Sequence, residues 1–258
     1  MTQPLAGRRI LVTRSAHQAG KLSEALRGLG AEPVEVPVLE IRPPENWRPL
    51  DAALGALSGY DWLIFTSANT VQALVERAAA LKRPLALPPT ALVAAVGEAT
   101  AEALRQAGIA VSFVPKKYVA ESLVTDLKSD WAGKHVLLAR VAVARDVIPE
   151  ALRAAGASVD VVDAYRNMLP ADAPERLRAA LAAPIDAATF TSSSSVTHLA
   201  EAAVRGGLLF PLAGVRAISI GPITSETLRE HGWPPAIEAD PHDITGLVAA
   251  VARLLSGG

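Results

Sequence analysis

Cysteine is absent from the 258-residue chain. That excludes disulfides, thiol nucleophiles and thiolate metal sites, and it accords with a cytoplasmic setting. Histidine is sparse: His17, His135, His198, His231 and His242 stand apart, none at metal-ligand spacing. An isolated histidine is ordinarily a surface or satisfied core residue, so neither a metal nor a cofactor is expected. The formal charge is −1, which leaves no electrostatic footprint for nucleic acid or an anionic membrane. Apolar runs are short, and none approaches the roughly 20 residues that span a bilayer. The opening MTQPLAGRRILVTR lacks an apolar core before a small-residue cleavage site. Neither G-x-G-x-x-G nor G-x-x-x-x-G-K-[ST] occurs, and FTSSSSV lacks the glycines that flank a nucleophile elbow.

In their place the chain has an internal repeat. RRILVTRSAHQAGKLSEALRGLG from Arg8 lies on KHVLLARVAVARDVIPEALRAAG from Lys134, with Arg14 on Arg140 and Gly30 on Gly156, an offset of 126 residues. FTSANTVQAL from Phe65 lies on FTSSSSVTHL from Phe190 at an offset of 125, and AVGEATAEAL from Ala95 on SIGPITSETL from Ser219 at 124. A period this long is the size of a domain, unlike the unit of a short-repeat solenoid.

Within each copy, short apolar runs alternate with amphipathic stretches. Strands are expected at 9–13, 61–66, 92–96, 109–114, 136–139, 158–163, 187–191 and 215–220, with helices between them, including a short one in ESLVTDLKSD. Strict alternation implies parallel sheets covered by helices on both faces. Pro33, Pro37, Pro43 and Pro44 confine EPVEVPVLEIRPPE to an edge or a bridge, because proline cannot donate to a central ladder. Two domain cuts are compatible with the pattern. One divides the chain near Asp130. The other leaves the first layer through residues 39–42 and returns through 164–167, so that 43–163 forms one domain and 1–38 joins 168–258 in the second.

Ligands of open parallel sheets bind outside the carboxyl ends of the strands, so the loops there carry the candidate chemistry. Thr13-Arg14-Ser15, Thr66-Ser67-Ala68-Asn69, Gly97-Glu98-Ala99-Thr100, Ala139-Arg140, Thr191-Ser192-Ser193 and Gly221-Pro222-Ile223-Thr224 each deliver small hydroxyls, glycine or arginine into a helix start. Glu121-Ser122 opens another helix in the same style. Free amides and the helix dipole favour anions at such ends. Any single serine or threonine there is also an ordinary N-cap, contributing about 1 kcal/mol. Placement at strand ends and duplication raise the set above that reading. Gly97 and Gly221 serve either a tight turn or a close ligand approach. Tyr165, in the VDAYRN stretch, sits where the first copy has Leu39 and brings a phenolic donor to a connector.

The ordered series ILVTR, FTSANTVQAL, AVGEATAEAL, AESL, LAR…ARDVIPEALRAAGASV, DAYRN, FTSSSSV, SIGPITSETL and DITGLV resembles the uroporphyrinogen-III synthase family over essentially the whole chain. The resemblance implies a HemD-like α/β fold of two similar domains, with parallel sheets flanked by helices and a two-stranded antiparallel linker. It implies the interleaved domain cut, an active site in the cleft between domains, and no cofactor. It further implies a lyase that cyclises hydroxymethylbilane, a linear tetrapyrrole with eight carboxylates, losing water and inverting the last ring. Tyr165 matches the family's tyrosine and is the expected catalytic group. Arg14, Thr66, Ser67, Asn69, Gly97, Thr100, Ser122, Arg140, Thr191, Ser192, Ser193, Gly221 and Thr224 are the expected substrate contacts. The chain departs from the family's pattern at Val141 and Ala144, where glycines are frequent. A cytoplasmic monomer without nucleic-acid or membrane partners is expected. A non-catalytic, hinge-closing protein for an anionic small molecule shares the duplication and the loops, and a nucleotide-sugar transferase is a third possibility.

Overall fold

A computed structural model describes residues 3–83, 85, 87–115, 130–144 and 146–256. The expected helix in ESLVTDLKSD, with Ser122, lies outside the described residues.

Ile10, Leu11 and Val12 are apolar on successive residues because their strand is covered on both sides. In β1 (Arg9–Val12), Ile10 and Val12 join a cluster with Leu22, Leu26, Leu247 and Val251, whereas Leu11 joins Val36, Phe190, Leu199 and Leu228. The first cluster lies under helices Ala16–Gly28 and Ile244–Leu255; the second lies under Ala173–Ala180, Ser193–Arg205 and Pro222–Glu230. Burying each such leucine contributes about 1.5–3 kcal/mol relative to leaving it exposed. The strand is therefore a central one of a doubly covered parallel sheet. Its order is β10 (Ile237–Glu238), β9 (Arg216–Ser219), β8 (Ala187–Phe190), β1, β2 (Glu32–Glu35), and neighbouring strands run parallel.

The second sheet has the order β3 (Glu40–Arg42), β7 (Ser158–Met168), β6 (His135–Val141), β4 (Trp62–Phe65), β5 (Leu92–Ala95), and β7, β6, β4 and β5 are parallel. Trp62, Ile64, Val136, Leu138, Ile148 and Leu152 form the core of one face. Each sheet mixes the repeats: β1 and β2 come from the first copy and β8, β9 and β10 from the second, while β4 and β5 come from the first and β6 and β7 from the second. The chain divides accordingly into two units, Met1–Ile41 with Met168–Gly258, and Arg42–Asn167. Gly30 and its repeat mate Gly156 end their helices with φ of 91° and 94°, a left-handed turn that glycine adopts without strain.

Two elements differ from expectation. The strand expected at 109–114 is reduced to a single bridge between Phe113 and Ala94 at the far side of β5. β7 does not end at Asp163 but continues as one strand to Met168, which places Tyr165 inside the sheet. Arg140 pairs with Asp163 and Val141 with Tyr165, so β7 carries one extra residue at that point. Such a bulge breaks the alternation of side chains, and Ala164 and Tyr165 are both buried in succession.

Candidate functional site

Parallel register brings the carboxyl ends of three strands side by side in each sheet. In the first unit Val12 pairs with Thr189, and Phe190 with Ser219, so Thr13-Arg14-Ser15, Thr191-Ser192-Ser193 and Gly221 share one edge. The hydroxyls of Thr13 and Thr189 fasten that edge by donating to Thr189 O at 2.8 Å and Leu11 O at 3.1 Å. In the second unit Phe65 pairs with both Ala95 and Ala139, which aligns Thr66-Ser67-Asn69, Gly97 and Arg140 in the same way.

Ser67 caps helix Ala68–Ala80: its Oγ accepts from Thr70 N at 3.1 Å. The Ser67 Oγ is also 2.9 Å from Thr70 Oγ1 and 3.2 Å from Tyr165 Oη. Ser192, its repeat mate, caps helix Ser193–Arg205 through Ser195 N at 3.2 Å, and Ser195 completes a capping box. These caps satisfy one orphan amide each and leave the other first-turn amides for a ligand. The sequence marks Ser67 and Ser192 as caps; it does not mark Thr70, a wholly buried partner in the Ser67 network.

The remaining expected contacts sort by what already holds them. Thr66 Oγ1 donates to Ala139 O at 3.4 Å, and Ser193 Oγ accepts from Thr227 Oγ1 at 2.7 Å, which ties two helices together. Thr191 and Asn69 are half-buried on the strand-end loops. Thr100 and Thr224 lie in the first turns of their helices, each 5% exposed. Gly97 and Gly221 have extended backbones, with φ of −159° and 177°, so neither forms a left-handed turn. A Cβ on Gly221 would meet the His242 ring at 3.4 Å, an ordinary contact.

The two arginines differ. Arg140 Nη2 lies 2.7 Å from Asp146 Oδ1. Arg14 reaches Gln18 Oε1 at 3.5 Å, and the Nε of both arginines is buried without a hydrogen-bond partner among the described residues. Burial lowers the pKa of Arg14. Ser15, whose hydroxyl is likewise buried and without a partner among the described residues, precedes helix Ala16–Gly28 and accepts from its amides only through the backbone carbonyl.

Tyr60 provides a contrast with Tyr165. It lies at the amino ends of the strands, where Tyr60 Oη donates to Asp160 Oδ2 at 2.7 Å and His135 Nε2 lies 3.1 Å from the same oxygen. Burial, then the Asp160 carboxylate, pushes the Tyr60 phenol well above its usual range. Its proton is committed, and it is far along the sheet from the strand-end loops. Among the described residues no group of histidines and carboxylates is arranged to hold a metal ion. Nor is any helix there long and apolar enough to cross a membrane.

Paired parallel-sheet units, each lining one edge with helix N-termini and small hydroxyls, define a class of α/β protein suited to an anionic ligand without a basic patch. The family model described as uroporphyrinogen-III synthase HemD matches residues 20–249. The chain belongs to the uroporphyrinogen-III synthase family, lyases of tetrapyrrole biosynthesis. It is 37% identical to the uroporphyrinogen-III synthase of Synechococcus elongatus over 97% of both chains, and 29% identical to that of Chlorobaculum parvum over 95% of this chain and 98% of the relative. Among solved structures, a uroporphyrinogen III synthase mutant from Thermus thermophilus shares the fold with a TM-score of 0.73 at 24% identity, covering 98% of this chain and all of that one. The Helicobacter pylori enzyme gives 0.63 at 21% identity, covering 96% and 99%.

Proposed function

We propose that the chain closes hydroxymethylbilane to uroporphyrinogen III, with loss of water and inversion of the last pyrrole ring, and that Tyr165 is its catalytic residue. The observation that carries this reading is the family match across most of the chain, joined to strand ends rich in anion-binding amides. Eight carboxylates suit distributed donors: a single helix N-terminus favours an anion by about 0.3–1 kcal/mol near the surface, and several together hold a flexible polyanion.

Spontaneous closure of the linear tetrapyrrole gives the uninverted isomer, so the protein's task is largely to dictate conformation. Correct orientation of reacting groups supplies about 7–11 kcal/mol in favourable intramolecular cases. The thin inventory of acid–base groups along the strand ends is consistent with that division of labour. Tyr165 fits the single proton-handling role. When its oxygen accepts from the Ser67 hydroxyl, 3.2 Å away, the phenol keeps its own proton for the departing hydroxyl of the substrate. The strand-end residues Arg14, Thr66, Ser67, Asn69, Gly97, Thr100, Arg140, Thr191, Ser192, Ser193, Gly221 and Thr224 would hold carboxylates, chiefly through backbone amides where their hydroxyls are already engaged. A monomer acting in the cytoplasm is part of the same proposal; the lack of cysteine accords with the compartment alone.

The test is to incubate purified protein with hydroxymethylbilane, oxidise the product and separate the porphyrin isomers. The type III isomer, formed faster than spontaneous closure, is the expected result. Type I alone, at the spontaneous rate, would leave only a binding protein.

A further inference from the structure

Arg14 and Arg140 are the same residue of the repeat, yet their charges are met differently. Arg140 has the carboxylate of Asp146 at 2.7 Å. At the repeat offset of 126, the position of Asp146 in the first copy is held by Gly20, which has no side chain to offer. Arg14 has instead the amide oxygen of Gln18 at 3.5 Å. The Nε of both arginines is buried and meets no acceptor among the described residues, so what separates the two is the carboxylate at the Nη end of Arg140. Arg14 is half-buried, and a charge partly withdrawn from water costs stability unless a counter-charge is supplied, here from outside the chain.

A second, independent feature lies beside it. Ser15 is 3% exposed, its Oγ has no partner among the described residues, and it stands at the N-terminus of the 13-residue helix Ala16–Gly28. It does not cap that helix with its side chain, and the first turn contains no acidic residue. The guanidinium and the helix amides can only donate, and the Ser15 hydroxyl is able to. A carboxylate, with two oxygens that accept in a plane, complements this set.

Building on the synthase reading, we propose that Arg14, Ser15 and the first amides of helix Ala16–Gly28 bind one carboxylate of the substrate as an ion pair, whereas Arg140 is held by Asp146. The repeat is thus asymmetric in charge. A cation without a carboxylate of its own gives a flexible tetrapyrrole one firm reference point, and the remaining carboxylates are taken by neutral donors and by Arg140, whose charge Asp146 already offsets.

Steady-state kinetics of the full chain on hydroxymethylbilane, with isomer separation and melting curves, test this. Arg14→Gln raises KM by about tenfold to a hundredfold, the range for a hydrogen bond to a charged group. Its substrate-free melting temperature does not fall, because an uncompensated charge has been removed. Arg14→Lys recovers part of the affinity, and Arg140→Gln raises KM less than Arg14→Gln does. An unchanged KM in Arg14→Gln, while the unmodified protein still yields the type III isomer, overturns the carboxylate site and leaves the synthase reading standing. Equal KM increases in the two glutamine variants, or a lowered melting temperature in Arg14→Gln, also overturn it. Failure of the unmodified protein to form the type III isomer refutes the underlying reading instead.

Discussion

The phenolic oxygen of Tyr165 lies 3.2 Å from the Oγ of Ser67, which joins the end of β7 to the cap of helix Ala68–Ala80. Neither residue carries a formal charge, so what the contact sets is the direction of a proton. Ser67 Oγ accepts from Thr70 N at 3.1 Å and lies 2.9 Å from Thr70 Oγ1; when Thr70 donates in that contact, the Ser67 hydrogen can turn toward the phenol. The bulge between β6 and β7 makes the contact possible, since it turns Tyr165 inward directly after Ala164.

Tyr165→Phe is expected to lower kcat by about tenfold or more, the lower reach of a positioned proton donor. One hydrogen bond is lost, worth about 1 kcal/mol, and for a chain of this size the melting temperature falls by no more than about 2–4 °C. Turnover measured beside calorimetry decides it. Unaltered kcat with the same small thermal change removes Tyr165 from the mechanism.

Ser67→Ala and Ser192→Ala remove equivalent caps, each contributing about 1 kcal/mol. Ser67 has the additional tie to Tyr165, so its loss should lower the urea midpoint further than the loss of Ser192. The excess should vanish when Tyr165→Phe is already present, because the two residues share one interaction. Additive effects in that double-mutant cycle would show that the 3.2 Å contact carries no energy.

Ser23→Ala should stabilise the chain. The Ser23 hydroxyl is fully buried within helix Ala16–Gly28 and has no hydrogen-bond partner among the described residues. An unmet buried hydroxyl costs about 1–3 kcal/mol, and alanine is also the better helix former. Chemical denaturation would show a higher midpoint at unchanged slope. A lower one would mean that the hydroxyl has an acceptor after all.

Asp51 and Arg77 set an acid-range dependence of stability. Arg77 Nε and Nη2 donate to the two carboxylate oxygens at 2.7 and 2.6 Å, and the guanidinium lies 4.4 Å from the Trp47 ring centre. The hydrogen bond from Arg77, more than its charge, holds the Asp51 carboxyl below its usual range. A depressed folded-state pKa stabilises above the unfolded value, and that contribution is lost as pH falls through the folded one. Asp51→Asn should therefore be less stable than the parent near neutral pH and converge with it in strong acid. A constant difference across a pH series of melting curves would contradict this.

The alternation of apolar runs with helical stretches was legible in the sequence because parallel strands are buried on both faces and read as unbroken hydrophobic segments, as in WLIF of β4. The end of β7 was not legible: the bulge opposite Val141 lets the strand run on past Asp163, and a register shift leaves no mark in composition. The strand expected at 109–114 shrank to its Phe113 bridge because its pairing with β5 is confined to one point. The strand-end loops announced themselves through their serines and threonines. What those hydroxyls bond to did not, since the partners are remote in sequence: Thr66 is satisfied by Ala139, and Ser193 by Thr227. The inequality of Arg14 and Arg140 is readable in retrospect, as Gly20 against Asp146, once the contact distance shows which position matters.

The mixing of repeats within each sheet has a consequence for how the chain is born. Residues 42–167 are contiguous and can close their layers as soon as they leave the ribosome, whereas β1 has no β8 beside it until residues 187–190 have been made. Strand β1, made before every other strand of its sheet, is thus among the last to have a neighbour on both sides. Until then its apolar Ile10-Leu11-Val12 run waits for a neighbour still to be translated.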